Sequence, residues 1–181
     1  MHRQEALELL RQHLQNENLV KHCIAVGAIM KGLANRFGED EELWETIGIL
    51  HDIDYEETKN DHERHGLISV EILKGKVPEE VLDAIPKHNE LTGMKMEKKV
   101  DFALTCADAI SGLIVATALV HPNKLSGVEG SSVKKKFGQK DFASSVDRNR
   151  ILICEKIDLS LDDFIRISLD SMKEVKDDLG L

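Results

Sequence analysis

Six side chains in this 181-residue chain have the types to hold a metal together: His22, the adjacent pair His51 and Asp52, then His65, His88 and Asp108. Imidazole and carboxylate donors suit divalent Fe, Mn or Zn, with Mg possible, and disfavour a metal that demands thiolates. Brought to one point, the set would make a site for one or two ions. The chain therefore reads as a metalloenzyme.

Each residue alone also has a plainer reading. His51-Asp52 follows the apolar run Ile47-Gly48-Ile49-Leu50. Neighbours on a regular helix point about 100° apart, so both can face one ion only near a helix end. The polar stretch after Asp52 supplies that end, and a solvated terminus with a capping histidine is the alternative. His22 lies among apolar residues and could be a hydrogen-bonded core histidine. Asp108 is harder to explain blandly, because Leu104–Val120 is apolar nearly all round. An unpaired carboxylate there would cost several kcal/mol or stay protonated. Thr105 and Ser111 share its face and are candidates to orient it. His65 competes with His62 and is preferred because Gly66 leaves room beside it. His88 could equally be an exposed loop residue. His2, His13 and His121 read as surface or capping groups.

The elements that must position these residues are helices. Ala6, Leu7, Leu10 and Leu14 form a stripe at helical spacing, Leu19 to Phe37 continues it, and Gly38 supplies a stop. Further helices are expected over about 40–51, 62–74, 78–87 and 98–120, and again over 146–154 and 161–179, the last capped by Ser160. The stretch 52–61 reads as a loop, and so does 122–145, which carries glycine, serine and lysine without periodicity. No alternating strand pattern persists. The expected fold is all-α, one domain over 1–181, with the motifs in about 18–120 and a C-terminal loop and helices over 121–181.

Composition narrows the function. The net charge of -9 argues against a nucleic-acid polymer as partner. Residues 124–150 nevertheless carry +4, against -13 elsewhere, which suits a small anionic ligand. Lys134, Lys135, Lys136 and Lys140 are its candidate contacts, with a solvated basic loop as the alternative. Cys23, Cys106 and Cys154 lack metal or disulfide spacing and read as reduced thiols, hence a cytoplasmic protein. The N-terminal stretch has no apolar core, and Gly112–Val120 is too short to span a bilayer, so no signal peptide or membrane segment is expected.

The order KHCIAV, GILHDIDYE, RHGLISVEIL, IPKHNE, LTCADAISGL resembles the HD-domain superfamily of metal-dependent phosphohydrolases. The resemblance implies a helical bundle and a hydrolase whose metal-activated water attacks phosphorus. Single-metal members use residues matching His22, His51, Asp52 and Asp108. Two-metal members add those matching His65 and His88, with Asp52 as the bridge and the central catalytic carboxylate. Where many members read HDIGK or HDIAK, this chain has Asp54 and Tyr55, so a lysine contact to phosphate would have to come from Lys59 or the basic loop. Asp54 or Glu57 could relay a proton. The expected function is hydrolysis of a small phosphorylated metabolite or nucleotide. The alternatives are a di-iron oxygenase of HD type and a non-catalytic metal- or ligand-binding module.

Overall fold

The computed structural model describes all 181 residues and contains helices and turns without strands. In chain order the helices are α1 Arg3–His13, α2 Glu17–Phe37, α3 Glu41–Leu50, α4 Tyr55–Thr58, α5 Leu67–Leu73 and α6 Glu79–Ala84. They continue with α7 Lys99–Leu119, α8 Lys124–Gly127, α9 Gly130–Phe137, α10 Arg148–Leu152, α11 Leu161–Glu174 and α12 Lys176–Leu179. Short 3-10 turns at Ile85–His88, Glu90–Thr92 and Ile153–Ile157 join them.

The long helices begin and end where local chemistry dictates. Asn16 accepts a hydrogen bond from the Asn18 N–H to open α2, Asp40 does so from Leu43 for α3, and Ser160 from Asp163 for α11. Gly38 closes α2 in the left-handed region at φ +70°. The two 21-residue helices, α2 and α7, form the centre. α3 and α11 pack on α2, and α1 covers α3. α7 is long and apolar enough to cross a membrane by length and composition, well beyond the short run 112–120, but it is the core helix here, with 61% of its apolar window buried.

One crossing matters more than the rest. At the contact of α2 with α3, a Cβ on Gly48 would lie 2.7 Å from the Gly27 Cα, and a Cβ on Gly27 would lie 2.6 Å from Ile49 Cγ1. Two glycines thus let the helix backbones touch, and this brings His22 on α2 beside His51 at the end of α3, ring centroids 5.2 Å apart.

Two stretches expected as loops contain helix. Residues 122–145 hold α8 and α9, and 52–61 hold the single turn α4. α9 fully buries only Val133, with half-buried Phe137 one turn on, a stripe too short for periodicity to detect. His65 precedes α5 rather than lying on it.

Candidate metal centre

The six expected ligands converge from five parts of the chain. α2 supplies His22, the end of α3 supplies His51 and the following turn Asp52. The turn before α5 gives His65, the 3-10 turn Ile85–His88 gives His88, and mid-α7 gives Asp108. His51 is the C-cap of α3, so the chain leaves the helix there and both members of the His-Asp pair face inward.

Asp52 sits at the junction. Its Oδ1 lies 3.2 Å from His65 Nε2, 3.3 Å from His51 Nε2 and 3.5 Å from His88 Nε2, while Oδ2 lies 3.7 Å from His22 Nε2. Asp108 Oδ1 lies 3.2 Å from His22 Nε2 and 3.9 Å from His51 Nε2. Two overlapping groups have donor atoms within 4.8 Å of one another: His22, His51 and Asp108, and His51, Asp52 and His88. Either could hold an ion.

All four imidazoles turn Nε2 inward and are held from behind through Nδ1. His51 Nδ1 donates to the Gly48 carbonyl at 2.8 Å, and His88 Nδ1 to the Ile85 carbonyl. His65 Nδ1 is 2.8 Å from Asp54 Oδ1, and His22 Nδ1 is 3.2 Å from Ser111 Oγ. Such outer contacts fix the ring and the tautomer of a metal-binding histidine. His51 Nε2 is buried and has no hydrogen-bond partner. Leaving such an atom unsatisfied costs about 1–3 kcal/mol, and metal ligation would satisfy it. The donor set therefore fits a divalent ion.

Proton affinities follow the same layout. Burial pushes His51 down to about 4, so this imidazole is neutral and ready to ligate. Burial acts the same way on His65, but its bonds to Asp52 and Asp54 outweigh it and hold the ring up to about 10. Burial opposes ionisation of Asp52, yet His51, His65 and His88 around it keep its carboxyl well below the usual range. Asp108 is likewise lowered, with His22 outweighing burial. Without a metal, a protonated His65 stands beside Asp52 and offsets part of the carboxylate charge. A cation would displace that proton.

Several supporting roles differ from expectation. Asp54 is fully buried, accepts from the Gly66 and Ser69 N–H groups at 2.7 and 2.9 Å, and holds His65 Nδ1 at 2.8 Å, so it orients that ring. Glu57 pairs with His13 instead. Gly66 does not make room for a site. It adopts φ +86°, and a Cβ there would lie 3.0 Å from Pro86 Cα. Ser111 serves His22, whereas Thr105 donates to the Asp101 carbonyl and does not orient Asp108. Lys59 is exposed.

A cavity of about 360 Å³ opens onto the cluster and is completed by Leu19, Tyr55, Asn89 and Arg150. The four expected lysine contacts do not line it. Lys134 pairs with Asp162 at 2.7 Å, Lys135 is exposed, Lys136 lies over the Phe142 ring, and Lys140 borders a separate hollow with residues 144–149. The cation that reaches the site is Arg150, whose Nη2 donates to Asp108 Oδ2 at 3.0 Å and to the His88 carbonyl at 2.9 Å. It belongs to the same basic segment, but composition gives no direction to a charge. Only the placement of α10 does.

The family model of the HD domain matches residues 19–113, just over half of the chain and all six candidate ligands. The chain belongs to the HD-domain superfamily of metal-dependent phosphohydrolases. Among curated proteins, Ribonuclease Y of Acholeplasma laidlawii is 35% identical over 99 residues, covering 52% of this chain and 18% of the relative. Ribonuclease Y of Aster yellows witches'-broom phytoplasma is 29% identical over 167 residues, covering 88% of this chain and 30% of the relative. This HD protein thus spans less than a third of the length of either relative. No solved structure matches. Family and relatives together support a metal-dependent hydrolase in general terms, and HD domains bind divalent metals.

Proposed function

We propose that this HD protein hydrolyses a phosphate ester of a small metabolite or nucleotide, using two divalent ions held by His22, His51, Asp52, His65, His88 and Asp108. The observation that carries this reading is Asp52. It is 6% exposed, and its two oxygens lie among four inward-turned Nε2 atoms, Oδ1 beside those of His51, His65 and His88 and Oδ2 beside that of His22. Asp52 would link the two groups that share His51, one with His22 and Asp108, the other with His88, with His65 beside its Oδ1. Divalent ions in such a set polarise a phosphoryl oxygen and lower the pKa of water toward neutrality. The protein's share is positioning. Ser111, Gly48, Asp54 and the Ile85 carbonyl keep the rings aimed, and the cavity of about 360 Å³ is in the size range of small-molecule sites. Iron, manganese, zinc and magnesium all remain compatible with this donor set.

The printed names of the relatives favour a second reading, cleavage of RNA. The charge of this chain weighs against it. Net charge is -9, and two of the seven basic groups in residues 124–150, Lys134 and Arg150, are paired with carboxylates. Lys124 and Arg148 are held in place by backbone carbonyls rather than free to follow a polymer backbone. Elemental analysis of the purified protein, followed by phosphate-release assays on phosphorylated metabolites and on short RNAs, tests both readings. About two equivalents of metal and turnover of small esters are expected. A protein that takes up no Mn, Fe or Zn would sink the reading. Turnover confined to RNA would replace the substrate class.

A further inference from the structure

Arg150 lies outside the segment that the HD family model matches, yet it closes the cavity over the cluster. Its placement is built in. Asp147 caps α10 by accepting from the Asn149 N–H at 2.8 Å. Arg148 donates to the carbonyls of Ala143 at 2.6 Å, Val146 at 2.8 Å and Gln139 at 3.3 Å, and also to that of Phe142. These bonds lace the segment after α9 onto the start of α10, with Ala143 held at φ +46°. Arg150, two residues on, is thereby presented to the site from a fixed base.

The guanidinium is only partly spent. Nη2 uses its two hydrogens on Asp108 Oδ2 and the His88 carbonyl. Nε is buried without a partner. Nη1 donates to no protein group. Among the residues lining the cavity, Arg150 is the one lysine or arginine. Asp108 offers Oδ1 to the cluster and Oδ2 to Arg150, so one carboxylate ties the cation to the metal-binding face.

The geometry points to Arg150 as the residue that fixes the substrate's phosphoryl group, anchored through Nη2 and donating from Nη1 to a non-bridging phosphate oxygen. The inference rests on the hydrolase reading above and deepens it: the C-terminal third supplies the anion contact that the lysine-rich segment does not. A ligand of phosphate type, free or as a terminal phosphoryl group, is what this contact selects. Charge-assisted bonds of an arginine to phosphate are strong and depend on the planar fork, which lysine lacks.

Inorganic phosphate is the probe. In manganese-loaded wild-type protein, phosphate should slow phenylglyoxal modification of Arg150, mapped by peptide mass, without slowing modification of exposed Arg166. Arg150→Met should keep its metal equivalents and bind phosphate about 10- to 100-fold more weakly by calorimetry, and Arg150→Lys should recover part of that loss. Loss of metal from both variants would make Arg150 a positioning group for Asp108 alone and overturn the proposal. So would unchanged phosphate affinity at full metal content, or absence of protection in the metal-loaded wild type. Wild-type protein that takes up no metal would break the underlying reading as well, an outcome distinguished by the elemental analysis itself.

Discussion

Lys87 and His88 are neighbours on one 3-10 turn and serve two different buried polar clusters. Lys87 Nζ donates to Asp83 at 2.8 Å and Asp101 at 3.2 Å, Lys98 adds a second cation to Asp83, and Asp101 Oδ2 also accepts from the Glu97 and Lys98 N–H groups. That cluster brings its counter-charge within the chain. His88 faces the other way, into two carboxylates and three further imidazoles gathered around Asp52. There the one fixed cation, Arg150, stands at the edge. The difference teaches how to tell scaffold from site among buried charges. A cluster that ties the fold together is neutralised by its own residues, because an unpaired buried charge is expensive. A cluster that leaves its acceptors facing one another is completed by something from outside.

Asp52→Ala should break the contrast most severely. Metal content should fall from whole equivalents to near zero while the helical circular dichroism persists. Full metal retention would refute the bridging role. Lys87→Met attacks the other cluster and should do the reverse: it strands the buried Asp101, costs about 3–5 kcal/mol in chemical denaturation and leaves metal content unchanged. The same variant has a pH signature. Hydrogen bonds from Lys87 and then Lys98 hold the Asp83 carboxyl below its usual range. A lowered folded value means that the ion pairs stabilise the protein above about pH 4 and stop doing so as pH falls through that lowered value. Melting curves between pH 5 and 3 should therefore show a shallower acid loss for Lys87→Met than for wild type. The smallest effect should come from Ser111→Ala, which frees the His22 ring from behind. Metal affinity should drop about 10- to 100-fold in chelator competition, with the fold intact.

Much of this architecture was legible because it follows simple periodicities. The stripes of α2 and α3 and the all-round apolar run of α7 are visible in the sequence, and so is the helix end that lets His51 and Asp52 converge. Asp108 announces itself as a carboxylate in an apolar helix. The supporting residues were hidden for reasons that can be named. Asp54 is held by the N–H groups of Gly66 and Ser69, and backbone donors leave no trace in side-chain spacing. α9 fully buries only one residue, so its sequence reads as a loop. Lys134–Lys136 and Arg150 carry the same charge and lie in the same segment. What separates them is that α9 turns Lys134 toward Asp162 while α10 turns Arg150 toward Asp108.

The glycine contact between α2 and α3 bears on the order in which the protein assembles. Only Gly38, Glu39 and Asp40 join the two helices, so their crossing at Gly27 and Gly48 links near neighbours along the chain. Contacts of that kind close quickly during folding, and distant ones wait. His22 and His51 would meet early, while Asp108 and Arg150 arrive from far downstream. Pulsed hydrogen exchange should find α2 and α3 protected ahead of α7. A chain still emerging from the ribosome would then already present two imidazoles side by side, enough to begin capturing an ion before the rest of the site exists.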